Sequence, residues 1–160
     1  MSLKNKIISL EEFKNWKKDF TGTTVATNGV FDLLHPGHME YLEEANELGD
    51  ELIIALNSDA SVKALKDPRR PVISELERAY MLASLECVSK VVIFEDVEAL
   101  NTLLEIQPNI YVKGGDYTID TINQNERRAL EAKDVKIKIL KFKAGFSTTK
   151  MIEKILKAYG

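Results

Sequence analysis

Residues 24–57 read TVATNGVFDLLHPGHMEYLEEANELGDELIIALN, and the changes of pattern inside this stretch decide the fold. TVATNGVF is a β-branched run that stops at Asn28-Gly29, as a buried strand does when it runs into a loop. Pro36 and Gly37 then open GHMEYLEEANELGD, where Met39, Leu42, Ala45 and Leu48 recur at helical spacing and Gly49 supplies a stop. ELIIALN, 51–57, is a second apolar run of strand length. Strand, helix and strand in this order form a crossover, which is right-handed and makes its two strands parallel.

The alternation continues on both sides. Upstream, Ser9 and Glu12 have capping-box spacing ahead of Leu10, Phe13, Trp16 and Phe20, which predicts a short leading helix within residues 1–20. Downstream, SDASVKALK (58–66) reads as a helix, KDPRRPV (66–72) as a loop, and SELERAYMLASLE (74–86) as a helix with Ser74 and Glu77 repeating the capping box. KVVIF (90–94), NIYVKG (109–114) and VKIKIL (135–140) read as strands. VEALNTLLEI (97–106), TINQNERRALEA (121–132) and TTKMIEKILKAY (148–159) read as helices. Met151, Ile152, Ile155 and Leu156 form a stripe expected to pack in the core, and Cys87 is expected to be a buried small hydrophobe. No linker, low-complexity tract or repeat divides the chain, so residues 1–160 are expected to form one domain. Five strands separated by helices predict a doubly wound α/β fold around a five-stranded parallel sheet. Ligands bind such sheets outside the carboxyl ends of the strands, so functional residues should fall just after strands.

Composition narrows the function. Lys plus Arg is 22 against Asp plus Glu 25, a net charge of −3, which argues against a general nucleic-acid or membrane-surface binder. The single cysteine allows no intramolecular disulfide and no ligand cluster for a structural metal, and it fits a reducing compartment. No apolar run approaches a membrane span, and MSLKNKIISL lacks the apolar core of a secretory signal, so the cytoplasm is the expected location.

Chemistry concentrates after the first strand, in Asn28-Gly29-Val30-Phe31-Asp32-Leu33-Leu34-His35-Pro36-Gly37-His38, which holds both histidines of the chain. With Pro36 as first helical residue, His35 falls near the cap and His38 at the third position. That helix end offers free N–H groups and the positive end of the dipole, an anion site, and Gly37 keeps the approach clear of a Cβ. Two imidazoles there can donate hydrogen bonds to a triphosphate and to charge developing at a reacting phosphorus. The alternative is one capping and one packed histidine; a zinc pair would need further ligands. Ser147, Thr148 and Thr149 open the last helix, where they can hold phosphates or simply cap it. Lys63 can meet phosphate or lie on a solvated helix face, with Arg69, Arg70 and Arg78 as weaker candidates. Lys113-Gly114-Gly115-Asp116-Tyr117 follows the fourth strand; its glycines let backbone approach a base, or make an ordinary turn.

Gly29-x-Phe31-Asp32-x-x-His35-x-Gly37-His38 resembles the signature of the cytidylyltransferase-like nucleotidyltransferases, a Rossmann-like fold of the HUP type similar to class I aminoacyl-tRNA synthetases. Gly145-Phe146-Ser147-Thr148-Thr149 looks like their second signature. Family patterns often carry an acidic residue where this chain has Ala144, and many relatives a basic one where it has Phe142. TNGVFDLLHPGH, LNSDASVKALK, the RPV that follows (Arg70-Pro71-Val72), VKGGDY and GFSTT most resemble the branch that makes ADP-heptose. That resemblance implies adenylyl transfer from ATP to a heptose 1-phosphate. His35, His38 and Lys63 would act on phosphates, and Asn28, Gly29, Phe31, Asp32, Gly37, Lys113, Gly115, Asp116, Ser147, Thr148 and Thr149 would bind substrate. Mg²⁺ would arrive with the triphosphate. It further implies a homodimer, a separate sugar kinase in the pathway, and product destined for lipopolysaccharide core or surface glycan. Glycerol 3-phosphate with CTP, FMN with ATP, and a non-catalytic nucleotide-binding module stay open as alternatives.

Overall fold

A computed structural model describes residues 2–142 and 144–160. The strands are β1 (Thr24–Gly29), β2 (Glu51–Asn57), β3 (Lys90–Phe94), β4 (Ile110–Gly114) and β5 (Lys136–Leu140). The helices are α1 (Leu10–Asp19), α2 (Pro36–Asn46), α3 (Asp59–Leu65), α4 (Glu75–Ala83), α5 (Leu100–Ile106), α6 (Gln124–Glu131) and α7 (Thr148–Tyr159). All strand pairs are parallel, in the order β3-β2-β1-β4-β5. The doubly wound α/β fold expected from the sequence is therefore the fold observed. Strand order reverses at β1, so the switch point opens where β1 ends at Gly29 and the segment to His35 begins.

The apolar runs of β2 and β3 are continuous because this part of the sheet is covered on both faces, whereas the edge strand β5 alternates exposed lysine with isoleucine. Leu52, Ile54 and Leu56 of β2 enter a core with Leu42 and Ala45 of α2 and Leu82 of α4. Ile53 and Ala55, pointing the other way, pack with Phe13 of α1, Leu103 of α5 and Leu130 of α6. Among the described residues, no helix is long and apolar enough to cross a membrane.

Three details depart from the sequence expectation. Helix α5 starts at Leu100 rather than 97, because no side chain caps it at Ala99, and residues 97–99 become wall instead of helix. Helix α6 starts at Gln124 because Asn123 is its cap, accepting from the Asn125 and Glu126 N–H groups. The stripe on α7 is not core: Ile155 is 51% and Leu156 62% exposed, and the helix has no buried residue. Periodicity marks an amphipathic face without saying what covers it. Cys87 is half-buried, and its burial pushes the thiol pKa up.

Candidate active site

A cleft of about 530 Å³ opens along the carboxyl ends of β1, β2 and β4. Asn28, Gly29, Phe31, Asp32, His38, Lys113, Thr148 and Thr149 line it, together with Asn57, Lys66, Arg70, Glu98, Glu126 and Phe142. This is where a doubly wound sheet places its ligand.

The two histidines cap α2 reciprocally. His35, with φ −142° and ψ 166°, is the N-cap; its Nδ1 accepts from the His38 N–H at 3.3 Å, and His38 Nδ1 accepts from the His35 N–H at 3.3 Å. A neutral imidazole that accepts at Nδ1 carries its proton on Nε2, so both rings present Nε2–H as donor. Burial pushes the His35 pKa down, and burial with the neighbouring His35 ring pushes His38 down to about 4. Only His38 lines the cleft. His35 sits behind it, its ring stacked 3.8 Å from His38 and 5.9 Å from Phe146. Gly37 serves this packing: a Cβ there would lie 3.1 Å from the His35 ring and 3.1 Å from Phe146 Cβ.

This arrangement has a measurable pH consequence. An unfolded histidine binds a proton near 6.5, whereas folded His38 stays neutral down to about 4. Between those values the unfolded chain holds the extra proton, so stability falls as pH falls through this window. The urea midpoint should therefore drop from pH 7 to pH 4.5, and less steeply in His38→Gln; parallel curves would contradict the neutral, packed imidazole.

Asp32 is 1% exposed, and its carboxylate accepts from the Val72 and Ile73 N–H groups, each at 3.0 Å, and from Arg70 Nε at 3.2 Å. It pins the 67–73 loop beside the cleft. Phe31, next to it, takes φ 48°, a left-handed conformation uncommon for a side-chain-bearing residue. Arg78 is fully buried, and its guanidinium donates to the carbonyls of Val30, Asn57 and Ile73 and to Asp59 Oδ1. One side chain thus fastens the exits of β1 and β2 to the loop before α4. The sequence marked Arg78 only as a weak candidate, because all its partners except Ile73 are distant along the chain.

Asn28 Oδ1 accepts from the Tyr111 hydroxyl at 2.7 Å, which leaves the amide NH₂ as its donor to the cleft. Lys113 Nζ pairs with Glu126 at 3.1 Å and lies over the Tyr117 ring. Thr148 Oγ1 donates to the Leu33 carbonyl, tying the start of α7 to the loop before α2. Ser147 accepts from the Lys150 N–H as N-cap and does not line the cleft, whereas Thr148 and Thr149 do. Lys63 is exposed and outside the lining; Lys66, at the end of α3, takes the wall position. Gly115, at φ +132°, and exposed Asp116 lie beyond the lining as well. Among the described residues, no three His, Cys, Asp and Glu side chains cluster to hold a metal ion.

The cytidylyltransferase-like family matches residues 26–154. The Bifunctional protein HldE of Geobacter sulfurreducens is 48% identical over 136 residues, 85% of this chain and 27% of that protein. HldE of Helicobacter acinonychis is 44% identical over 154 residues, 96% of this chain and 32% of that protein. The chain thus spans about a quarter to a third of the length of these relatives. Among solved structures, the lipopolysaccharide core biosynthesis protein of Thermoplasma volcanium superposes with a TM-score of 0.64 at 25% identity, over 79% of this chain and 100% of that one. The pantoate-beta-alanine ligase of Francisella tularensis reaches 0.63 at 13% identity, over 94% of this chain and 77% of that one, a likeness of fold alone.

Proposed function

Because the chain belongs to the cytidylyltransferase-like family, we propose that it transfers AMP from ATP to D-glycero-D-manno-heptose 1-phosphate, giving ADP-heptose and pyrophosphate. The observation that carries this reading is the histidine-capped N-terminus of α2, with His38 Nε2–H available at the switch point. The choice of heptose rests on the resemblance of the segments and on the HldE relatives.

A phosphate oxygen of the sugar attacks the α-phosphorus, the new P–O bond forms as the bond to the β-phosphate oxygen breaks, and pyrophosphate leaves. The nucleophile is already ionised at neutral pH, so no general base is needed, and catalysis is positioning and charge stabilisation. His38 donates to the α-phosphate oxygen as charge builds on it. His35 fixes the His38 ring by stacking and capping. Thr148, Thr149 and the N–H groups of α7 receive the β- and γ-phosphates, with Ser147 setting that helix end. Asn28, Gly29 and Phe31 shape the floor under the ribose and phosphates, Gly37 admits the chain's close packing at the cap, and Lys113 and Gly114 border the base. Magnesium comes as part of the Mg·ATP substrate. A separate sugar kinase would supply the acceptor's phosphate.

Pyrophosphate release with Mg²⁺, crossing ATP, CTP and GTP against both anomers of heptose 1-phosphate, glycerol 3-phosphate and FMN, tests the reading. Release with ATP and one heptose anomer is expected. Release only with CTP and glycerol 3-phosphate, or only with ATP and FMN, would replace it.

A further inference from the structure

We propose that Arg70, held in place by Asp32, anchors the acceptor's phosphate, and that the half of the cleft beyond β2 and β3 is the acceptor pocket. This rests on the adenylyl-transfer reading and adds the side of His38 from which the acceptor enters.

The two halves of the cleft differ in chemistry. On the β4 side the Gly114 backbone faces aromatic rings: a Cβ there would lie 2.5 Å from Phe142 Cζ and 3.0 Å from Tyr41 Cε2. Phe142 packs against Gly114 and Tyr41 yet stays 44% exposed, so its open side offers a flat aromatic surface of the kind a base stacks on. The cation on that side, Lys113, is already paired with Glu126.

On the β2 side the wall carries Lys66, Arg70 and Glu98. The adjacent arginines of the loop have separate fates. The Arg69 side chain is 88% exposed and donates to Asp67 through Nε and Nη2. The Arg70 side chain is 19% exposed and donates through Nε to Asp32, whose own side chain is fully buried. Neither Nη1 nor Nη2 of Arg70 has a hydrogen-bond partner among the described residues. A guanidinium tethered by Nε with both terminal nitrogens open presents the fork that phosphate oxygens accept, and less freedom is lost when they do. Lys66 adds a mobile charge, with no ion pair among the described residues. Glu98 offers a pure acceptor to sugar hydroxyls. Two cations beside a carboxylate match a phosphorylated polyol better than a base. In-line displacement also requires the nucleophile to approach opposite the departing pyrophosphate, away from the threonines of α7.

Calorimetric titration of heptose 1-phosphate into protein saturated with Mg²⁺ and α,β-methylene ATP tests this. Arg70→Gln should weaken the sugar phosphate by about 10-fold or more while the nucleotide analogue stays within about twofold, since a charged hydrogen bond is lost on one ligand alone. Arg70→Lys should recover part of the loss. Asp32→Asn should weaken the sugar phosphate and spare the analogue, as expected for a positioning residue. Equal weakening of the analogue, or no change in either ligand, would overturn the assignment. Failure of the transfer reading shows separately, as wild-type protein that binds the analogue but releases no pyrophosphate with any acceptor. Inorganic phosphate then replaces the sugar phosphate as titrant, and the same Arg70→Gln comparison decides.

Discussion

Replacing His38 by Ala is expected to lower kcat by about 10²–10³, the loss seen when one preorganised donor to a developing oxyanion is removed. ATP affinity should change only a few-fold, because in the proposed mechanism the imidazole acts on charge that grows in the transition state rather than on the ground-state triphosphate. The expectation follows from geometry. His38 Nδ1 is occupied by the His35 N–H, so Nε2 holds the proton, and the ring is held neutral by burial and by the stacked His35. His38→Gln should retain some activity if its amide NH₂ can reach the same oxygen. Single-turnover rates and equilibrium binding of α,β-methylene ATP separate the two effects. A matched loss of affinity and rate would make His38 a ground-state ligand, and no loss of either would remove it from the mechanism.

The second large effect is structural. Arg78→Met should destabilise the fold by about 3 kcal/mol or more, chiefly because three carbonyls inside the fold lose their donor, while Asp59, with its side chain 34% exposed, regains water. Four acceptors lose their donor: the carbonyls of Val30, Asn57 and Ile73, and Asp59 Oδ1. Each carbonyl left without a partner away from water costs about 1–3 kcal/mol. The methylene stem of Met keeps the packing, so the loss reports the hydrogen bonds. Urea unfolding at neutral pH measures it. A change below about 1 kcal/mol would mean that water takes over these contacts, and the account of Arg78 as the fastener of the β1 and β2 exits would be wrong.

The strands were legible because each is a short run rich in β-branched or apolar residues, continuous in β2 and β3 and alternating with lysine in the edge strand β5. Residues 51–57 and 90–94 of the sequence coincide with β2 and β3. The fold class followed from their alternation with helices, since a parallel crossover leaves few topologies. Helix starts were less legible where no side chain signals the cap, as at α5. The α7 stripe misled because hydrophobic spacing records a face and not its neighbour.

The same distinction runs through the candidate site. His35, Pro36, Gly37 and His38 form a local device whose capping geometry is written in consecutive residues, so its place at the switch point could be read. Arg70 finds Asp32 38 residues back, and Arg78 reaches Val30 48 residues back. The resemblance takes in Arg70-Pro71-Val72 and leaves out Arg69, but it gives Arg70 no partner; the buried carboxylate of Asp32 supplies one. Lys66 replaces Lys63 on the cleft wall for a related reason: α3 ends at Leu65 and the chain leaves helical geometry at Lys66, an ending that sequence spacing alone does not reveal.

The central claim, attack of a sugar phosphate on the α-phosphorus of ATP, is tested most directly with heptose 1-phosphate carrying ¹⁸O in its phosphate. Incubated with Mg·ATP and the protein, the label should appear entirely in the sugar nucleotide, including its bridging position, and the pyrophosphate should be unlabelled. Label in the inorganic product, or ATP turnover that forms no sugar nucleotide, would contradict the account.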